Sequence, residues 1–178
     1  MSVVVLIFMA RIAAAQNAWS LPGVIAACGP KNQKLEVEKD GAFSKLELRK
    51  GRATIYFILE YPQTPTSSLK VRAGLDGRWV GMLQDRSYFK ISTWPGVRHL
   101  CVSGEWSRFM ARNSIALYAL RLKPGSVHYV RIRFLYPSRE GVLLGMDEVD
   151  KDEGRFLVST SRNDGSRHST NKSPRHSP

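Results

Sequence analysis

Two residues near the middle of the chain, His99 and Cys101, have side chains that could do chemistry. They lie two positions apart, so on a β-strand both side chains would point to the same face. A cysteine and a histidine arranged in this way can form a nucleophilic pair or part of a metal site. No second cysteine or carboxylate follows at metal-ligand spacing, so the pattern favours a disulfide-bonded Cys101 beside a packed or solvated histidine. We therefore predict no catalytic residue, metal ion or cofactor.

A cluster of carboxylates near the C-terminus is the second candidate. Its members are Asp147, Glu148, Asp150, Asp152 and Glu153. The cluster could suggest calcium, but it lacks the alternating Asp/Asn pattern and the central glycine of an EF-hand loop. Carboxylates also stabilise the N-terminus of a helix through its dipole. The pattern therefore favours the solvated start of a short helix.

Three tryptophans lie within a few residues of an arginine. The candidate ligand surface comprises Arg78, Trp79, Trp94, Arg98, Trp106 and Arg108. Exposed tryptophans stack on sugars or bases while arginines bind phosphate or sulfate, so the pattern could mark a surface for glycan or single-stranded nucleic acid. Tryptophans in the core or at strand ends would give the same spacing. The net charge of +12 and the pI near 10.1 would attract anionic partners, although scattered charge also serves solubility alone.

The two cysteines, Cys28 and Cys101, allow three interpretations. A disulfide suits an exported protein, because oxidising compartments preserve such bridges. Residues 25–28 (Ile-Ala-Ala-Cys) also resemble a lipobox, in which Cys28 would be acylated, but polar residues and the Pro22-Gly23 bend separate them from the apolar N-terminal run. Two free thiols are the third interpretation. The disulfide is favoured.

The N-terminus has the pattern of an export signal. An apolar run over residues 3–10 precedes Ala13-Ala14-Ala15, a small-residue site for signal peptidase. The run lacks a preceding basic residue, and an apolar first strand or a short buried helix is the alternative. We expect a signal peptide over 1–15, a lead-in over 16–33 and an exported location. The apolar run is too short to span a bilayer, so no transmembrane segment is expected in the mature chain.

The rest of the chain alternates strand-forming runs with bends at Asp76-Gly77, Pro95-Gly96 and Pro124-Gly125. The predicted strands cover residues 34–37, 42–48, 53–59, 70–75, 78–81, 87–93, 97–103, 114–122, 126–136 and 142–146, with a terminal strand around 156–158. Asp76-Gly77 predicts a tight hairpin, whereas Pro95-Gly96 predicts a looser loop or a step between sheets. Pro124-Gly125 is expected to join a last strand pair.

The predicted fold is all-β: an antiparallel β-sandwich of about seven to nine strands over 34–160, with one short helix near the C-terminus. Residues 105–113 are irregular and predict a short helix or an ordered loop. From residue 161 to 178 no large apolar residue occurs, so a disordered basic tail is expected.

Six short motifs recur in a set order between residues 28 and 160. They are Gly51-x-Ala53-x-Ile55-Tyr56, residues 76–81, Ser87-Tyr88-Phe89, Pro95-Gly96-x-x-His99-Leu100-Cys101, Gly125-x-x-x-Tyr129-x-Arg131 and Asp152-Glu153-Gly154-x-x-Leu157-Val158. Their order resembles the bacterial domain of unknown function 2846 family, small exported β-sandwich proteins similar to PEGA-type surface domains. The resemblance implies a signal peptide and a compact sandwich, and it implies no catalytic residue.

The sequence therefore predicts an exported, non-catalytic interaction module of the periplasm or cell envelope. Its partner could be a protein or an anionic envelope polymer. The alternative is a binding domain for anionic polymers, either cell-wall glycan or nucleic acid, although no specific nucleic-acid motif is present.

Overall fold

The computed structural model describes residues 22–31, 51–60, 70–105, 114–135 and 143–163. These residues form two helices and nine strands: α1 (Pro22–Ala27), β1 (Ala53–Leu59), β2 (Lys70–Leu75), β3 (Arg78–Gln84), β4 (Ser87–Thr93), β5 (Gly96–Glu105), β6 (Ile115–Leu122), β7 (Val127–Leu135), β8 (Leu143–Val149), α2 (Lys151–Thr160) and β9 (Arg162–Asn163). The predicted signal peptide, the strands predicted at 34–37 and 42–48, the irregular stretch after residue 105 and the tail from 164 lie outside the described residues.

The strands form two facing sheets, which confirms the predicted β-sandwich. One sheet has five strands in the order β8-β7-β1-β4-β9, and the other has four in the order β3-β2-β5-β6. Most neighbours are antiparallel, but β1 pairs with β7 in parallel, as β4 does with β9. The purely antiparallel meander expected from the turns is therefore wrong at these two pairs. The central strand β1 can pair with β7 in parallel because the long connection between them runs through the other sheet.

The three turn dipeptides have different roles. Asp76 and Gly77 both have positive φ (49° and 77°), as a two-residue hairpin requires, and they join β2 to β3. Pro95-Gly96 carries the chain from the five-stranded to the four-stranded sheet, which confirms the predicted step. Pro124-Gly125 carries it back, so β6 and β7 lie in different sheets and the predicted pairing between them is wrong.

All three turns and the start of β1 lie at the same end of the sandwich, which we call the turn end. The registers Ala53↔Thr93 and Gly96↔Leu122 place the strand ends there in line. The main core lies between the sheets and is built from inward-facing aliphatic and phenylalanine side chains, such as Phe57, Leu100 and Ile132. β1 is buried on almost every residue, as its continuous apolar sequence predicts.

Helix α2 begins where the acidic cluster predicts a helix. Asp150 is its N-cap, and its side chain accepts hydrogen bonds from the backbone N–H groups of Asp152 and Glu153 at 2.9 Å. The helix continues through Leu157 and Val158, so the terminal strand predicted at 156–158 is wrong. Those two side chains both pack on the outer face of the five-stranded sheet. Two consecutive residues can share one face on a helix, whereas on a strand they would point to opposite faces.

The fold also extends further than the sequence predicts. β9 lies at the start of the segment expected to be a disordered tail, and it pairs with Ser87 and Tyr88. The N–H of Arg162 donates to the carbonyl of Arg86 at 2.8 Å, and its guanidinium bonds Asp85 at 2.8 Å. Backbone pairing and one surface ion pair therefore order residues 162–163 without any apolar side chain.

Candidate functional site

The lead-in is attached to the outer face of the four-stranded sheet by a disulfide. Cys28 bonds Cys101 with a Cα–Cα distance of 5.2 Å, so neither sulfur is a free thiol or open to acylation. Gly74 opposes Cys101 across the ladder, and a Cβ on Gly74 would lie only 2.9 Å from the carbonyl oxygen of Ala27. The absence of a side chain at Gly74 thus lets the lead-in approach closely enough for the bridge to form.

Trp79 belongs to this attachment and not to a ligand surface. Only 1% of it is exposed, because β3 directs it outward under α1 and the disulfide. Its Nε1–H donates to the carbonyl of Pro30 at 2.8 Å, and the guanidinium of Arg72 lies 4.7 Å from its ring centre. The predicted surface role of Trp79 is therefore wrong, since its indole holds the lead-in in place.

Trp94 is the predicted aromatic residue that does reach solvent. It is 60% exposed at the turn end, immediately after β4. The guanidinium of Arg52 lies 4.5 Å from its ring centre, which is cation–π geometry. Sequence proximity could not identify Arg52, because it lies 42 positions earlier; the β1–β4 pairing of Ala53 with Thr93 brings the two side chains together.

Arg98 has a structural role at the same end. Its guanidinium donates to the carbonyls of Trp94 at 2.9 Å and Pro95 at 3.3 Å, and to Asp76 at 3.0 Å. These bonds fix the loop that carries Trp94 and connect it to the β2–β3 hairpin. Because Asp76 neutralises its charge, Arg98 supports the exposed tryptophan and is a weak anchor for an external anion.

Three further cations lie at the turn end without a carboxylate partner among the described residues. They are Arg78, Arg121 and Lys123, and all three are exposed. Arg121 opposes Val97 in the β5–β6 ladder, and Lys123 begins the turn whose Gly125 N–H donates to the carbonyl of Arg52 at 3.0 Å. Together with Arg52 and Trp94, these residues give the turn end four cations and one exposed aromatic ring. Trp106 and Arg108, the last predicted pair, lie outside the described residues.

Three carboxylates at the turn end have partners among the described residues. Asp76 pairs with Arg98, Glu148 lies 2.6 Å from the Nδ1 of His128, and Asp150 caps α2. None of these three neutralises Arg78, Arg121 or Lys123.

Ser126, His128 and Glu148 form a chain that resembles a hydrolase triad. Ser126 Oγ lies 2.8 Å from His128 Nε2, with Glu148 on the other ring nitrogen. However, Ser126 Oγ also lies 2.7 Å from the carbonyl oxygen of Lys123, which competes for its single proton. The N–H groups of Gly125 and Ser126 are bonded to backbone carbonyls, so neither is free to stabilise an oxyanion. The geometry fits a structural role, in which these hydrogen bonds hold the β6–β7 turn against β8.

The other members of the acidic cluster are similarly dispersed. Asp147 and Glu153 both bond the guanidinium of Arg131, with an Asp147 contact at 2.8 Å, and Asp147 also reaches Arg133 at 3.2 Å. The hydrogen bonds that Arg131 donates to Asp147 are the main reason that the pKa of Arg131 is raised above its ordinary value. These contacts fasten α2 to the five-stranded sheet. In the described part of the chain, no group of three or more His, Cys, Asp and Glu side chains could hold a metal ion.

A groove of about 450 Å³ opens beside the turn end, between the edges of β3 and β4. Leu75, Val80 and Ile91 form its apolar floor, and Arg78, Ser92 and Thr93 lie along its rim. Nothing in the sequence pattern indicates this groove, since it results from the separation of two strands that belong to different sheets. We call it the edge groove.

No protein-family model, curated protein or solved structure matches this chain. Across the described residues, no helix has the length and apolarity that a membrane crossing needs.

Proposed function

We propose that this protein is an exported, non-catalytic interaction module that binds an anionic partner through its turn end. The observation that carries the proposal is the exposed ring of Trp94, stacked against Arg52 at the same end of the sandwich as the exposed cations Arg78, Arg121 and Lys123. Indole rings stack on sugars or bases, while guanidinium and ammonium groups bind sulfate, carboxylate or phosphate. Since these cations have no carboxylate partner among the described residues, an external anion would displace no ion pair that the structure describes.

Export is supported by two independent features. The disulfide closes a long loop and is retained in oxidising compartments, and the N-terminal apolar run has the pattern of a signal peptide. The ordered motifs that resemble the domain of unknown function 2846 family fit the same interpretation.

The proposal is tested by measuring affinity for a heparin oligosaccharide and for an oligothymidine across a range of salt concentrations. The variant combines Arg78→Gln, Arg121→Gln and Lys123→Gln. Its matched control, Lys70→Gln with Arg86→Gln and Arg155→Gln, removes the same charge from exposed positions outside the turn end. For oligothymidine we expect the turn-end variant to lower the salt slope by about 2, near 0.7 for each lost phosphate contact.

A second variant separates stacking from charge. Trp94→Ala should cost about 1–3 kcal/mol of binding free energy with little change in the salt slope, because stacking releases no counterions. If the two triple variants lose affinity equally, attraction is due to net charge and the turn end is not the site. Unmeasurable binding of both polymers by the parent protein would also reject the proposal.

A further inference from the structure

The edge groove has a floor that a polar polymer would not fill. A Cβ added to Gly81 would lie 2.5 Å from the ring of Phe89, so the two sheets meet closely at that level. Towards the turn end the strands separate, and Leu75, Val80 and Ile91 line the gap at the margin of the main core. A volume of about 450 Å³ falls within the range of roughly 300–1,000 Å³ that is usual for ligand sites.

The walls of the groove are strand edges. In the described part of the chain, β3 pairs only with β2, and β4 beyond Tyr88 pairs only with β1. Thr54 directs its N–H towards Ser126 in the parallel pair, so its neighbours in β1 direct theirs towards β4. The backbone N–H and C=O groups of successive residues point to alternate sides of a strand. Lys90 and Ser92 therefore direct theirs outward, away from β1. An edge of this kind can accept a further strand.

Two charged residues, Asp76 and Arg78, line the groove. Arg78 is exposed and has no carboxylate partner among the described residues, whereas Asp76, its neighbour across the hairpin, is held by Arg98. Ser92 and Thr93 also line this opening. The groove thus combines an aliphatic floor, an extended row of backbone donors and acceptors, and one cation.

We propose that the edge groove binds an extended acidic polypeptide segment, which adds as a strand to the outer edge of β4. One aliphatic side chain of the segment packs on Leu75, Val80 and Ile91, and a carboxylate on the segment pairs with Arg78. Backbone hydrogen bonds provide affinity, and the alternating side chains provide selectivity. This proposal goes beyond the proposed function, because it assigns a polypeptide to a groove that shares only Arg78 with the turn-end surface of Trp94.

A polypeptide suits this groove better than a glycan does. A sugar ring needs an exposed aromatic face, and the only indole in the groove lining is that of Trp79, which is 1% exposed and already committed to the lead-in. An aliphatic floor excludes hydroxyl-rich rings because it offers their hydroxyl groups no hydrogen-bond partner.

The test uses a display library of random peptides about six residues long, the usual length of a strand. The library is selected on the full chain and, in parallel, on the Arg78→Glu variant. We expect the parent to enrich sequences that alternate aliphatic residues with at least one acid, and the variant to lose that acid preference. A synthetic copy of an enriched peptide should shift the amide NMR signals of residues 78–80 and 90–93.

Two controls make the result decisive. N-methylation of a peptide amide that faces β4, or Arg78→Glu in the protein, should weaken binding about tenfold, as the loss of one strong hydrogen bond predicts. The Arg121→Gln/Lys123→Gln variant should bind the peptide unchanged, which separates this site from polymer binding at the turn end. Any of four results would overturn the proposal: enriched peptides without acidic residues, amide NMR shifts outside residues 78–80 and 90–93, unchanged affinity after N-methylation, or NMR shifts in the groove caused by the heparin oligosaccharide alone.

Discussion

Removing the disulfide is the strongest test of how the lead-in is held. The double variant Cys28→Ala/Cys101→Ala opens a loop that spans 73 sequence positions. On the chain-entropy model, freeing a loop of this length raises the entropy of the unfolded state enough to lower the free energy of unfolding by about 4 kcal/mol. Alanine retains the Cβ atoms against Trp79, so most of this loss should arise in the unfolded state. For a domain of this size the corresponding fall in Tm is roughly 10–15 °C.

The assay is urea unfolding of the parent and the double variant, monitored by tryptophan fluorescence. We expect a lower midpoint, with a similar or slightly larger m-value because the uncrosslinked chain exposes more surface. Hydrogen exchange should show increased opening of α1, since only a small apolar cluster would then hold it against the sheet. The parent with reductant is the matched control and should resemble the double variant. A stability loss below about 1 kcal/mol, or two free thiols in the native protein, would refute the reasoning.

Three other perturbations probe the outer face of the five-stranded sheet. Gly154→Ala should lower the free energy of unfolding by about 1–3 kcal/mol, because the added Cβ would overlap the ring of Tyr129. Thermal unfolding measures this loss, and Ala and Ser variants at Phe156, an exposed helical position, provide the control. Arg131→Gln should cost about 1–2 kcal/mol and increase amide exchange in α2, since it removes the cation shared by several carboxylates; unchanged exchange would contradict that role. Burial raises the pKa of Tyr56 and of Tyr88, so the neutral phenols favour the folded state. The contribution of these two tyrosines to the free energy of unfolding should be constant up to about pH 10 and fall as the pH rises through their folded-state pKa values. A fall in stability that begins below about pH 9 would exclude this cause.

Local sequence patterns predict most of the strands well. The β-branched run at Ala53–Leu59 and the Asp76-Gly77 hairpin carry their information within a few residues, because a strand needs alternation or continuous apolarity and a tight turn needs positive φ. The sheet partners do not have such local signals. The parallel β1–β7 pair depends on contacts between residues about 70 positions apart, so the sequence offers no short-range sign of it.

The same distinction between local and long-range information explains which residues of the candidate site the sequence could predict. Proximity in sequence pairs Arg78 with Trp79, yet β3 turns the tryptophan under α1 and leaves the arginine exposed at the rim of the edge groove. Strand alternation alone separates two adjacent residues onto opposite sides. Arg52, which does contact an exposed tryptophan, is recognisable only after the β1–β4 register is known.

The covering of both sheets explains why binding would use the end and the edge of the sandwich. On the four-stranded sheet, α1 and the Cys28–Cys101 bridge occupy part of the outer face, and on the five-stranded sheet α2 is fixed by Arg131. Residues that would otherwise offer a flat face for contact are used to attach these two elements. Trp94 with the basic residues of the turn end, and the open edge of β4, have no such cover within the described residues, and Trp94 adjoins the edge through Thr93. A partner with a carboxylate-bearing extended segment could therefore occupy both surfaces at once. Linking the two contacts would raise its affinity above that of either surface alone, because the second contact becomes intramolecular. Combining Trp94→Ala with Arg78→Glu should then weaken a natural partner by more than the single variants predict for independent ligands.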